Sequence, residues 1–196
     1  MREMITDERG VTAAPGTAKA RIERAALTLF IECSIEGVST KSLAALAGVS
    51  EGLLYRHFKS KDDLARTLML SLHTKLTQLV RSHAEQSLDA AVTDIVRDYA
   101  HLADEDWPLF AYHLLYMHRF PNLAEDGPLQ AATDLVAFNQ AAGRLPTSLS
   151  PHVLASMSLG VVLQVAQSKV AGAITQPLSD FIPNFERAVM AVLEDA

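Results

Sequence analysis

From Thr17 onward the apolar residues recur at the three- and four-residue steps of a helix. Ile22, Ala25, Ala26, Leu29, Phe30 and Cys33 fall on one face, which predicts an amphipathic first helix. After a break over 34–38, Ser39 is placed to cap a short helix with Leu43, Ala44 and Ala47 inward, and Gly48 ends it. Ser50 caps the next, in which Leu54 and Phe58 face the core while Gly52, Tyr55, Arg56 and Lys59 point away. Two short helices joined by a turn containing glycine form a helix-turn-helix.

The same period continues to the end of the chain. Ser60, followed by Asp62 and Asp63 in the first turn, opens a long helix to about His83, since carboxylates suit the positive end of a helix. Ser87 starts another with Leu88, Ala91, Val92, Ile95, Val96 and Tyr99 inward, and Asp106-Trp107-Pro108 starts a further one that Pro121 closes. Gly127-Pro128 opens a helix to Gly143, and two more run over 150–172 and from 179. No stretch alternates as a strand does, so the expected fold class is all-α. Residues 1–16 hold no sustained period and include Pro15-Gly16, and read as a flexible arm whose Arg2 and Arg9 are able to touch a nucleic-acid partner. The expected division is an arm 1–16, a three-helix head 17–64 and a helical body 65–196.

A hydrophobic content of 49% with 20% charged residues is that of an ordinary soluble globular protein. The net charge of −6 argues against nucleic acid only until its distribution is read. Over 17–61 seven Lys and Arg stand against four Glu, whereas from Ala65 onward eight stand against fourteen acids. The head is mildly basic and the acidity lies in the body. The single cysteine, Cys33, makes no internal disulfide, and no apolar signal core follows the start, so a cytoplasmic protein is expected. The longest apolar stretch, 153–166, is broken by Ser156, Ser158 and Gln164 and falls short of the roughly 20 residues of a spanning helix, so no membrane segment is expected. No GxxxxGK, HExxH or GxGxxG motif occurs, and neither catalysis nor a cofactor is expected. Asp94, Asp98 and His101 share a helix face and form the one metal-like grouping, read as a solvated face. His113 and His118 lie roughly 140° apart around a helix and cannot chelate one ion.

The run 17–64 resembles the TetR family of bacterial transcriptional regulators. The resemblance is carried by Ala26, Leu29, Phe30, Ser39, Leu43-Ala44, Ala47-Gly48-Val49-Ser50, Gly52, Leu54-Tyr55, His57-Phe58, Ser60-Lys61 and Leu64. It implies a homodimer in which Ser39, Tyr55, His57 and Lys61 hold the backbone of double-stranded operator DNA. Ser50, Glu51, Gly52, Leu53, Tyr55 and Arg56 are presented to the bases. Gly52 lets the helix approach the groove closely. The sequence departs from the family at three places: Leu53 where threonine is common, Glu51 on the exposed face, and Ser34 in place of a glycine after the first helix. Leu53 suits a thymine methyl and Glu51 a cytosine amino group, while Ser34 gives up glycine's ease in left-handed backbone.

The resemblance also implies a small-molecule effector in the body that releases the operator. The aromatic cluster there points to a largely apolar ligand site made by Trp107, Phe110, Tyr112, His113, Tyr116, Met117 and Phe138. The small and apolar residues of the 150–172 helix, with the last helix, predict a dimer interface. The competing reading is an interaction protein of the same fold that no longer binds DNA, for which Glu51 and Leu53 are the hints.

Overall fold

The computed structural model describes residues 16–120, 123 and 126–195. Apart from Gly16, the expected arm with Arg2 and Arg9 lies outside them, as does Pro121. Among the described residues the chain is all helical, with no strand.

Helix α1, Ala18–Gly37, starts where Thr17 accepts the Ala20 amide at 3.1 Å and buries Ile22, Ala26 and Phe30 completely. It is interrupted at Ser34, whose φ of 63° and ψ of 161° belong to glycine-like backbone. This kink corrects one expectation: Cys33, placed inward by the period, is exposed. The turn redirects the chain, and Ile35, fully buried, takes the inward position instead.

Helices α2, Thr40–Ala47, and α3, Glu51–His57, are set by local chemistry. Ser39 accepts the Ser42 amide at 3.0 Å and Ser50 accepts the Leu53 amide at 3.2 Å, so each serine supplies a partner for an otherwise unpaired N–H. Between them Gly48 adopts left-handed backbone (φ 63°), and its amide and that of Val49 return to Ala45 O and Ala44 O at 3.1 and 3.0 Å. Leu43, Leu54 and Phe58 are buried against α1.

The body begins with α4, Lys61–Ser82, capped by Ser60, while Asp63 accepts the Lys59 amide at 2.9 Å. Its 22 residues span about 33 Å and carry the chain away from the head. There follow α5, Leu88–Glu105, α6, Trp107–Tyr116, a 3-10 turn Met117–Arg119, α7, Pro128–Ala141, α8, Pro151–Val170, a 3-10 turn Leu178–Phe181 and α9, Ile182–Glu194. α6 thus ends five residues before Pro121. Helix α7 lies against α4 and α8, and α9 against α5 and α8. One apolar core runs without a break from Ile22 in α1 to Leu193 in α9, so head and body share an interior.

Helix α8 corrects the membrane argument. At 20 residues it is long and apolar enough, by length and composition alone, to cross a bilayer, because it extends past 153–166 at both ends. In this fold it packs on α7 and α9 and leaves Val153 (44% exposed) and Met157 (47%) facing outward.

Candidate nucleic-acid interface and ligand cavity

The head turns one side of α3 outward. Leu54 is buried and Leu53 half-buried, whereas Ser50, Glu51, Gly52, Tyr55, Arg56 and His57 are exposed. The large apolar side chains left open in the head are Leu46 (55%) and Tyr55 (51%), both on this helix pair. A Cβ on Gly52 would meet only Ser50 Oγ at 4.0 Å, so the absent side chain is not required by packing and the leading face is bare. Exposed Lys41, Arg56 and Lys59 add positive charge around it.

Four site residues are already engaged within the protein, Ser50 through the Leu53 amide it accepts. The Ser39 hydroxyl accepts the Ser42 amide and donates to Ser42 Oγ at 3.0 Å. Glu51 accepts from Thr40 Oγ1 at 3.1 Å, which draws its carboxylate toward the start of α2. Lys61 Nζ donates to Glu36 O at 3.1 Å and Val38 O at 2.7 Å. Its ammonium therefore ties the last carbonyls of α1 to the first turn of α4 instead of standing free at a helix start.

The body encloses a cavity of about 620 Å³, within the range of about 300–1,000 Å³ usual for small-molecule sites. Its wall comes from α4 (Met69, His73, Leu76), α5 (Val92, Val96, Tyr99), α6 and its following turn (His113, Met117), α7 (Leu129, Val136) and α8 (Ala155, Ser158, Val162). Among the described residues no Lys, Arg, Asp or Glu lines it. His73 Nε2 lies 2.8 Å from Leu123 O, and His113 Nε2 lies 3.5 Å from His73 Nδ1. Burial depresses the pKa of both rings, that of His113 to about 4, with its neighbour His73 contributing. Both are neutral at physiological pH. A Cβ on Gly127 would stand 2.3 Å from His73 Nε2, so glycine is what lets α7 begin against that ring.

Of the residues expected to hold the effector, His113 and Met117 line the cavity and five do not. Trp107 stacks on Phe110 (centroids 6.2 Å apart), with Lys169 Nζ 5.1 Å above it. Phe110 is buried edge-on against Tyr99, Tyr112 donates to Ala65 O at 2.9 Å, and Tyr116 donates to Phe30 O at 2.8 Å. Phe138 is 56% exposed under the Arg144 guanidinium. The physical reason is that α6 lies between head and body, so most of its rings are taken up by packing. The sequence reading missed His73 and Tyr99. On α4 the steps Met69, His73, Leu76 and Val80 form an inward stripe continuing past the head, and a histidine in such a stripe was the available signal.

The metal-like grouping is also resolved into structure. His83 Nε2 is 2.9 Å from Asp98 Oδ2 and its Nδ1 3.8 Å from Asp94 Oδ2, so both carboxylates turn to a histidine on α4's end.

Residues 22–68 match the family model described as bacterial regulatory proteins, tetR family. A curated HTH-type transcriptional repressor of Mycobacterium tuberculosis is 33% identical over 121 residues, 61% of this chain and 62% of that protein. The head of this chain is thus similar to that of TetR-family regulators. The HTH-type transcriptional repressor KstR2 of Rhodococcus jostii is 32% identical over 51% of this chain and 53% of its own length. The chain thus aligns with about three fifths or less of the length of these curated relatives. Among solved structures, the fatty acid degradation regulator FadR from Bacillus halodurans superposes with a TM-score of 0.75 at 16% identity, covering 91% of this chain and 97% of that one. FadR from Bacillus subtilis, described in complex with stearoyl-CoA, gives 0.73 at 14%, covering 89% and 98%. At such identities these share the fold.

The head is joined to the body chiefly along α6. Arg24 forks onto Asp106 at 2.8 and 3.0 Å where that helix begins. Tyr116 reaches Phe30 O near its end, and Arg119 on the next turn pairs with Glu36 and, at 3.3 Å, with Asp62.

Proposed function

We propose that this protein is a homodimeric transcriptional repressor that grips double-stranded operator DNA with its TetR-family head and releases it when a small, largely apolar effector enters the body. The observation that carries the reading is one helix, α6, with its following turn. It holds His113 and Met117 in the cavity wall and, through Tyr116 and Arg119, is bonded to the head. Movement of that turn on ligand entry is transmitted to α1 and α4, which set the separation of the two heads in a dimer.

Tyr55, Arg56 and His57 with the bare Gly52 edge form the DNA-facing side of α3, and Ser39, Ser50, Glu51 and Leu53 flank it. Lys61 supports this face as a strut. The outward apolar side of α8, with Val153, Met157 and open Gly160, together with α9, suits a two-fold four-helix interface. The division into a DNA-binding head 17–64 and an effector-binding, dimerising body 65–196 follows the same assignment. The work is done in the cytoplasm, without catalysis. The stearoyl-CoA complex of the Bacillus subtilis protein supports an effector with a long apolar portion. An interaction protein that has lost DNA binding is less well supported, since Glu51 is drawn back onto Thr40 and Tyr55 and Arg56 stay open.

The test is selection of genomic fragments by the purified full chain, followed by mobility shifts at several salt concentrations. A selected palindromic site whose affinity falls steeply with salt is expected. Failure to enrich any sequence, with no salt-dependent binding, would refute the repressor.

A further inference from the structure

In the cavity wall two imidazoles from different helices turn ring nitrogens toward each other. His73 Nδ1 on α4 and His113 Nε2 on α6 lie 3.5 Å apart, with the ring centroids at 5.8 Å. That separation is longer than the roughly 2.7–3.2 Å of a good hydrogen bond from N–H. The protonation of the pair follows from its neighbour. The Leu123 carbonyl can only accept, so His73 Nε2 carries the proton and donates to it at 2.8 Å. In the neutral ring His73 Nδ1 is then bare, and His113 Nε2, which faces it, carries the proton of its own ring. The arrangement of His73 is the one by which a metal-binding histidine is held, with the outer nitrogen fixed on a carbonyl and the inner one aimed inward.

The distance and the surroundings select the kind of ion. At this separation, bonds of about 2.0 Å from both nitrogens to one ion subtend about 120°, the angle of a three-coordinate ion. The wall also holds Met69 and Met117, each four residues from one of the two histidines, and thioethers favour Cu(I) over harder ions. Among the described residues no three His, Cys, Asp or Glu stand together to hold a metal, whereas a structural Zn²⁺ site takes four ligands. No Asp or Glu among them lines the cavity to offset a double charge, and the cost of burying an ion grows with the square of its charge. A singly charged soft ion demands neither.

We infer that His73 Nδ1 and His113 Nε2 form a binding site for one soft monovalent cation, Cu(I) or its analogue Ag(I), which bridges α4 and α6. On binding, the proton of His113 moves from Nε2 to Nδ1 and the ring stays neutral, so the charge of the ion is the only one buried. The site goes beyond the effector reading, since it stands on two ring nitrogens and not on the apolar volume beside them. It gives α6, the helix bonded to the head, a second ligand.

The test uses the full-length chain carrying Cys33→Ser, because the exposed thiol binds the same ions. Cu(I) is supplied without oxygen and with excess free methionine, which strips it from weak surface sites. One Cu(I) per chain is expected, with X-ray absorption reporting two imidazole nitrogens at about 2.0 Å and with a raised melting temperature. His73→Phe and His113→Phe should each weaken binding by about tenfold or more. Replacing the exposed His118 and His152 by Asn should leave it unchanged, and this control identifies the imidazoles if a buried-site variant does not fold. Fewer than two imidazoles at the ion, undiminished binding in either folded variant, loss of binding in the control, or Zn²⁺ bound as tightly as Cu(I) would each overturn the site.

Discussion

Acid should destabilise this fold through His113 in a way that can be isolated. The ring is only 4% exposed, and burial lowers its pKa from 6.5 to about 4. In the unfolded chain it takes up a proton as pH falls through 6.5, while in the folded protein it stays neutral until about 4. The unfolded state therefore binds more protons across that window. The stability associated with neutral His113 is fully present above pH 6.5 and is lost as pH falls toward 4. Integrating the two titrations gives a loss of about 2 kcal/mol between roughly pH 7 and pH 5. His73, lowered by burial against the bond to Leu123 that raises it, adds in the same direction. The measurement is urea unfolding of the protein and of His113→Leu at the two pH values, with protein concentration and ionic strength fixed. Carboxylates and the other histidines contribute to both proteins, so the quantity that matters is the difference between their pH-dependent losses. The variant should lose about 2 kcal/mol less. Equal losses would refute the claim that this ring is buried and neutral.

Tyr55→Phe should weaken operator binding by about threefold to tenfold, the scale of one hydrogen bond, with an unchanged melting temperature, read by mobility shift and calorimetry. Lys61→Met should lower stability by about 1–2 kcal/mol in denaturant unfolding, since two carbonyl contacts are lost, and a variant as stable as the parent would show that the strut is idle. Ser34→Gly should raise stability by about 1 kcal/mol, because relief of the φ of 63° outweighs loss of the 3.3 Å bond from the Gly37 amide. Arg119→Ala should leave ligand-free operator binding and the melting temperature nearly unchanged while reducing the ligand-induced loss of affinity, measured by titrating effector into the protein–DNA complex.

Features of the head that depend on a few neighbouring residues were legible in the sequence. Ser39, Ser50 and Ser60 cap the expected helices and Gly48 ends α2, because each satisfies backbone groups within four residues of itself. The inward places of Leu54 and Phe58 follow from the helical period. The features that stayed hidden depend on where distant elements lie. Cys33 keeps the period yet is exposed, since the strained backbone at Ser34 redirects the chain and gives the inward place to Ile35. The rings of α6 are as apolar as a ligand site demands, but which of them meet ligand depends on the side taken by the head. Tyr112 and Tyr116 turned out to serve α4 and α1, while His73, whose own neighbours suggest only a helix, reaches the cavity because α7 begins beside it at Gly127.

The division of labour along α6 bears on how a modest ligand can control DNA binding. Successive residues of a helix advance by about 100°, so Tyr112 and Tyr116 form one stripe and His113 and Met117 the adjacent one. The first stripe is bonded to head and α4 backbone, and the second faces the cavity. Any rotation or shift of the helix that better accommodates a ligand at His113 and Met117 must also carry Tyr116 and Arg119 relative to Phe30, Glu36 and Asp62. On the proposed function, the effector acts only through the difference in its affinity for the two head spacings. A tenfold change in operator affinity requires about 1.4 kcal/mol of such difference, the scale of one or two hydrogen bonds. Ligand contacts with His113 and Met117 that are made in one spacing and lost in the other provide that difference within the cavity itself. No large refolding of the body is then required, and the bonds from the α6 turn to the head carry the change outward.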